Sequence, residues 1–250
     1  MDTLTARPPL ELPLLYINLD EDQVRRVAFE AAFGAAHVPV ERLPATRWTR
    51  LDSLAQAQFY SAALNRRRYF RPLVAGEMGC YASHFAAWRR LLASTAPALV
   101  VLEDDVQPEP GFTDVINAIA ALPADWDMVK LIGRERERPA ARWPLCAGFE
   151  WVAFRRVPSL TAGYVVSRRG AQKLLATRLP FGRPIDVDLR LWWENRLVIR
   201  GVTPAAIALA ATEAQSSVGA RHGQPSLRQR WRKFVFKLRY TLANATAREP

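Results

Sequence analysis

The chain has 250 residues, half of them apolar, a tenth aromatic and about a quarter charged, values that exclude a disordered, collagen-like or disulfide-stapled polypeptide. Its formal charge of +11 and pI near 10.4 require an account of where the excess sits before any partner is named. Much of it lies between Arg221 and Tyr240, where Arg221, Arg228, Arg230, Arg232, Lys233, Lys237 and Arg239 occur without an acid. Cys80 and Cys146 are far apart and outside any metal-binding spacing, which fits a reducing compartment. No basic start followed by a long apolar run marks the first thirty residues, and the apolar runs elsewhere are too short to cross a bilayer. These features lead us to expect a cytoplasmic protein.

In chain order, Leu14-Leu15-Tyr16-Ile17-Asn18-Leu19 reads as a strand feeding a helix over 23–33, stopped by Gly34. A second strand is expected over 37–43, then a polar, arginine-rich stretch to 71 that is irregular or partly helical. Across 76–93, Met78, Tyr81, Phe85, Trp88, Leu91 and Leu92 recur at three- and four-residue steps, predicting a helix with one buried face. The apolar run 98–102 predicts a strand covered on both faces, and it ends in Glu103-Asp104-Asp105. A helix over 112–122, a strand over 126–132, a strand over 163–166 and a helix over 168–177 follow. Pro184-Ile185-Asp186-Val187-Asp188 leads into a helix-like 189–195 and a last strand over 197–202. Strands alternating with helices at this spacing predict an α/β fold with a mostly parallel sheet flanked by helices. The division expected is a domain over 1–220 and a basic amphipathic helix within 221–250.

The acid triplet carries the chemistry. In open α/β sheets, ligands bind beyond the carboxyl ends of the strands, where Glu103, Asp104 and Asp105 fall. Adjacent carboxylates repel, and a hard divalent cation relieves that repulsion; the alternative is a strand end whose acids cap the next turn. No glycine-rich phosphate loop occurs, so the charge of any bound nucleotide would be met by metal and basic residues.

Tyr16-Ile17-Asn18-Leu19-Asp20, Gly76-Glu77-Met78-Gly79-Cys80-Tyr81-Ala82-Ser83-His84, the run 100–105, Asp125-Trp126-Asp127 with Gly133, Thr161-Ala162-Gly163-Tyr164-Val165-Val166-Ser167 and Pro184-Ile185-Asp186 follow one another in order. Together they resemble glycosyltransferase family 25, the family of bacterial lipooligosaccharide and collagen galactosyltransferases. The resemblance covers roughly residues 14–200. It implies a GT-A-like domain, a UDP-sugar donor, most often UDP-galactose, Mn²⁺ (or Mg²⁺), and inversion to a β-linked product on a saccharide acceptor.

Carried over by position, Glu103, Asp104 and Asp105 match the family's acidic motif, with Asp105 as direct metal ligand. Asp186 is the first candidate for the base that takes the acceptor proton, Asp188 the reserve, with Glu103 a third; Asp186 as a simple helix cap is the alternative. Glu77, Ser83 and His84 either lie near the donor or its metal, as their recurrence in the family implies, or set the start and packing of their helix. Asn18 is a candidate for the uracil or ribose, and Arg25 for the diphosphate. Lys130 and Gly133 follow a buried strand and are further candidates for the cleft. In the late segment, His222 is a candidate second metal ligand, against a plain surface histidine. Two departures stand out: Leu43-Pro44-Ala45-Thr46-Arg47-Trp48 lacks the acidic or glycine-containing segment common in the family, and the acidic motif begins with Glu.

Leu227, Trp231, Phe234, Val235 and Leu238 fall on one face of the C-terminal helix and basic residues cover the rest, a pattern suited to an anionic membrane surface. A helix docked on the core and a nucleic-acid-binding arm are the alternatives; with a lipid-linked acceptor, no nucleic acid is expected. The partners expected are thus a UDP-sugar, a saccharide acceptor and the inner face of the cell membrane. The rival reading is a non-catalytic basic membrane- or nucleic-acid-binding protein on a transferase-like scaffold. It accounts for the charge and leaves the acid triplet without purpose.

Overall fold

The computed structural model describes residues 9–133, 139–210 and 226–247. Its centre is an eight-stranded sheet ordered β2-β1-β3-β8-β5-β9-β7-β6. The strands are β1 (Leu14–Asn18), β2 (Glu41–Pro44), β3 (Ala98–Glu103), β5 (Met128–Lys130), β6 (Pro139–Cys146), β7 (Phe149–Phe154), β8 (Gly163–Ser167) and β9 (Ile199–Thr203). β1 runs parallel to β2 and β3, and β5 parallel to β9, while β8 and β7 are antiparallel to their neighbours. The sheet therefore keeps a predominantly parallel direction, interrupted at β8 and β7, and the carboxyl ends of β1, β2, β3 and β5 share one edge. A separate ribbon pairs β4 (Val106–Pro108) with β10 (Ile207–Leu209).

Both faces of the sheet are covered, which explains strands that read as unbroken apolar runs. Side chains alternate between faces, so Leu14, Tyr16, Val100 and Leu102 meet the residues packed on one side. There α1 (Gln23–Ala35) contributes Phe29 and Phe33, and α5 (Phe112–Ala121) contributes Val115, Ile116 and Ile119. Leu15, Ile17, Leu99 and Val101 point to the other side, against Tyr81, Phe85 and Trp88 of α4 (Ala75–Ala93) and Ala171 and Leu174 of α6 (Arg168–Thr177). Tyr81, Phe85 and Phe181 stack in series, with ring centroids 5.1 Å and 4.3 Å from Tyr81.

Several elements depart from expectation for identifiable reasons. Gly34 does not stop α1, which continues to Ala35 before His37 takes a left-handed conformation. The arginine-rich stretch forms two short helices, α2 (Ser53–Phe59) and α3 (Ala62–Arg68), each started by a side-chain cap, Asp52 and Ser61. The hairpin β6–β7 was not anticipated. Pro139 and Pro144 argue against a strand, yet β6 is the edge of the sheet, where a missing donor costs little. The helical turn comes earlier than expected, as α7 (Ile185–Asp188), and 189–195 holds only turns and a 3₁₀ turn over Trp192–Glu194.

The C-terminal helix α8 (Leu227–Thr246) begins with a capping box between Ser226 and Gln229. It is docked on the body: Phe236 meets Tyr69 and Phe70, and Tyr240 meets Trp193 and the Arg190 guanidinium. Among the described residues no helix is long and apolar enough to cross a membrane.

Close backbone approach fixes where α6 sits. A Cβ on Gly170 would lie 2.1 Å from the Asp127 carbonyl oxygen, whereas one on Gly34 would meet nothing within 4 Å. Gly170→Ala is expected to lower unfolding free energy by about 1–3 kcal/mol in urea titrations, with Gly34→Ala neutral or slightly stabilising. Equal stability of the two variants would show that α6 does not press on the start of β5.

Candidate functional site

The shared edge of β1, β2 and β3 opens into a cleft of about 140 Å³. Its floor is Ile17 and Glu103 to Asp105, and one wall is the amino-terminal half of α4, through Gly79, Cys80, Ser83 and His84. The opposite wall, residues 45–49, is tied to α4. Ser83 Oγ accepts from the Thr46 amide at 2.8 Å while donating to the Gly79 carbonyl, and a Cβ on Gly79 would lie 2.5 Å from the Thr46 carbonyl oxygen. Ser83 thus lines the cleft as expected, with its hydroxyl spent on pinning the wall.

Each acid of the triplet has a different environment. Asp104 is answered locally: Arg25 Nη1 donates to Oδ1 at 3.1 Å and Asn18 Nδ2 to Oδ2 at 2.7 Å. Burial raises its pKa, and Asn18 and Arg25 oppose that rise. Asn18 Oδ1 in turn accepts from Arg42 Nε. These bonds correct two expectations, because both Asp104 oxygens and both polar atoms of Asn18 are engaged within the protein. Asn18 positions Asp104 rather than offering a free amide to a base or ribose, and Arg25 faces the cleft paired with Asp104.

Glu103 is held by Thr161 Oγ1 at 3.0 Å and lies 3.5 Å from His84 Nε2. Burial would raise its pKa, but His84, Thr161 and the Lys130 charge outweigh it and hold the carboxyl below its ordinary value. For Asp105 the relief from Arg25 and its own backbone amide is outweighed. Burial, then the charges of Glu103 and Asp104, push its carboxyl up to about 7, and its Oδ1 is buried without a hydrogen-bond partner.

His84 is fixed from behind. Trp88 Nε1 donates to the Tyr164 hydroxyl at 2.9 Å, and that same hydroxyl lies 2.8 Å from His84 Nδ1, which fixes the ring with Nε2 turned toward Glu103. Nε2 is fully buried and also lacks a hydrogen-bond partner. An orphaned Nε2 3.5 Å from Glu103, and an orphaned Asp105 Oδ1 two residues further along the chain, are the kind of exception that an ion explains. His84 Nε2, a Glu103 oxygen and Cys80 Sγ lie within 4.8 Å of one another. Burial and the surrounding acids hold the Cys80 thiol well above its usual range, and the carboxylates beside it suit a hard divalent ion such as Mn²⁺ or Mg²⁺. His84 thus turns its Nε2 toward Glu103 at the candidate metal site. His222 lies outside the described residues.

Asp186 belongs to the same electrostatic basin. Burial raises its pKa, the Val187 amide lowers it, Glu77 and Glu103 raise it and Lys130 lowers it. Asp188 does not belong there, which corrects the reserve assignment. It is buried between Arg183, which donates to Oδ1 at 2.6 Å, and the Tyr81 hydroxyl, which donates to Oδ2 at 2.6 Å, with Arg178 at 3.5 Å. Its oxygens hold α7 against α4. Glu77 is likewise corrected: Arg71 grips it through two bonds of 2.8 and 2.6 Å, and it accepts from the Val74 amide as the cap of α4.

Sequence reasoning did not assign Thr161, Tyr164 and Trp88, which orient Glu103 and His84, or Arg42 behind Asn18. All but Arg42 lie within or beside quoted motifs; their chain separation hid the pairing. Lys130, an isolated lysine in an apolar run, is buried and donates to the Leu160 carbonyl.

The sign of the Asp105 shift has a measurable consequence. Between its ordinary value near 3.8 and about 7, the folded chain holds a proton that the unfolded chain releases, so this group's contribution to stability falls as pH rises through that window. In chelator at pH 8, Asp105→Asn is expected to melt above wild type, with the difference shrinking toward pH 4. Mn²⁺ should raise the wild-type Tm at pH 8 and leave the variant nearly unmoved. A variant that melts below wild type at pH 8 in chelator would contradict the strained carboxylate.

Known proteins were compared with this chain. The family model described as "Glycosyltransferase family 25 (LPS biosynthesis protein)" matches residues 12–139. A "Glycosyltransferase 25 family member" of Anopheles gambiae is 29% identical over 199 residues, covering 74% of this chain and 32% of the relative. "Procollagen galactosyltransferase 1" of Danio rerio is 28% identical over 224 residues, covering 75% and 35%, and "Procollagen galactosyltransferase 2" of Homo sapiens is 34% identical over 125 residues, covering 47% and 19%. The chain thus spans about a third or less of the length of these curated relatives. Among solved structures, a mutant Drosophila β-1,4-galactosyltransferase 7 in complex with manganese, UDP-Gal and xylobiose aligns with a TM-score of 0.40 at 9% identity, covering 86% of this chain and 82% of the other. On the family match, which covers half of its length and the whole acid-bearing edge of the sheet, the chain belongs to glycosyltransferase family 25.

Proposed function

We propose that the chain is an inverting, metal-dependent glycosyltransferase that moves galactose from UDP-galactose, with β linkage, onto a saccharide acceptor carried by a lipid, as in lipopolysaccharide assembly. The observation that carries this is the pair of buried, unpartnered atoms, Asp105 Oδ1 and His84 Nε2, beside Glu103 at the strand edge. Family membership supports transfer, the galactosyltransferase relatives support the sugar, and the family description supports the lipopolysaccharide acceptor.

Glu103, Asp105 and His84 are the residues that would hold the divalent ion. When bound, Mn²⁺ or Mg²⁺ supplies Lewis-acid neutralisation of a diphosphate leaving group. The remaining work falls to the protein. Asn18 and Arg25 keep Asp104 fixed, so the diphosphate meets a cleft whose second acid is already compensated. Thr161 and Tyr164 hold Glu103 and His84 in place, a preorganisation that costs nothing at the moment of reaction. Asp186, whose pKa burial raises above the ordinary aspartate value, accepts the proton of the acceptor hydroxyl as that oxygen attacks the anomeric carbon.

The test is UDP release from a panel of UDP-sugars with Mn²⁺ and an oligosaccharide acceptor. UDP-galactose should be turned over and chelator should abolish turnover. Asp186→Asn should lower kcat by about 10²–10⁴-fold while UDP affinity and Tm stay at wild-type values. Asp188→Asn should instead lower Tm, because it unpairs buried arginines. Wild-type kcat in Asp186→Asn would remove the base assignment; no turnover of any sugar and no calorimetric UDP binding would remove the transferase.

A further inference from the structure

Helix α8 presents two apolar faces, and among the described residues only one of them packs against the body. Arg232, Phe236 and Tyr240 face the body, where Arg232 donates to the carbonyls of Arg66 and Tyr69, and Asn244 donates to the Arg155 carbonyl. On the opposite face, Leu227, Trp231, Phe234, Leu238 and Leu242 are 83, 65, 57, 48 and 59% exposed. At about 100° of rotation per residue these five fall within an arc of about 80°. Single exposed apolar side chains are ordinary on a protein surface, but a five-membered stripe along a docked helix is not.

Charge identifies what covers the stripe. Arg228 and Arg239 line one border, Arg230 and Lys237 the other, and α8 contains no acid. The exposed Arg66, Arg67 and Arg68 at the end of α3 extend the basic surface, and with Arg232 and Arg239 they line a cavity of about 570 Å³ beneath α8. A second copy of the helix laid on the stripe would set arginine and lysine against arginine and lysine, with no carboxylate on α8 to pair them. Nucleic acid would satisfy the borders and leave five apolar side chains in water. A bilayer with anionic headgroups satisfies both at once, because acyl chains receive the stripe and lipid phosphates meet the borders.

We propose that α8 is an interfacial membrane anchor, lying in the plane of an anionic bilayer with the stripe from Leu227 to Leu242 turned into the headgroup–acyl boundary. The body is thereby held at the membrane through the Phe236 and Tyr240 contacts. This anchor stands on the exposed face alone and does not depend on the catalytic assignment.

The test is flotation of the full chain with phosphatidylglycerol-containing vesicles and with pure phosphatidylcholine vesicles, in low and high salt. Wild type should float with the anionic vesicles, less so in high salt, and stay behind with phosphatidylcholine. Trp231→Ser combined with Phe234→Ser should reduce binding roughly tenfold or more. Both side chains are largely exposed, so the Tm should be unchanged; the single variant Leu242→Gln gives a second measure if the double variant is destabilised. Arg228→Gln with Lys237→Gln should weaken binding and flatten its salt dependence. The anchor is overturned if wild type does not float with anionic vesicles, or if the stripe variants float as well as wild type. It is also overturned if sedimentation finds a dimer that the stripe variants dissociate while vesicles bind neither form.

Discussion

Three carboxylates in succession at the end of a strand buried on both faces are the constraint from which the rest of this site follows. Water can screen such charges on a surface, but at the edge of this sheet the protein must do it. Asp104 receives Arg25 and Asn18, and Glu103 receives Thr161 with the nearby His84 and Lys130. Asp105 receives no counter-charge sufficient to offset its two acidic neighbours, and its carboxyl rises to about 7. The protein thus compensates two of three acids and leaves the third buried with too little counter-charge, a distribution common at binding sites and costly as mere architecture.

Much of this was legible in the chain. The run 98–102 could only be a strand covered on both faces, the aromatic spacing across 76–93 could only be a buried helix face, and both stand in the fold as β3 and α4. Helix α6 was legible to its ends, because Ser167 caps it with a bond from the Gly170 amide. Pairings were less accessible. Asn18, Glu77 and Asp188 are residue types found in active sites, and each is instead committed to another side chain or a helix start. Local pattern reports which polar residues occur near a strand end; it does not report which arginine, often far away in sequence, will claim them. The hairpin β6–β7 was hidden for a different reason, since proline weighs against a strand except at the edge that β6 occupies.

The two ends of the chain divide the labour proposed for it. The edge formed by β1, β2 and β3 gathers the acids and the histidine, while α8 carries a large share of the positive charge on a helix that touches the body by one face. Net charge alone would have suggested a partner bearing phosphate over the whole surface. Its segregation instead separates a carboxylate-lined cleft from a basic, apolar-striped helix, and the lipid-carried acceptor we propose would bring both into use.

The most direct measurement is crystallographic: anomalous diffraction at the manganese edge from crystals grown with Mn²⁺ and UDP. A single strong anomalous peak between Glu103, Asp105 and His84, with the diphosphate beside it, is the expected result. A well-ordered UDP with no manganese at that cluster, or manganese bound elsewhere on the chain, would contradict the assignment of the acid edge as the metal and donor site.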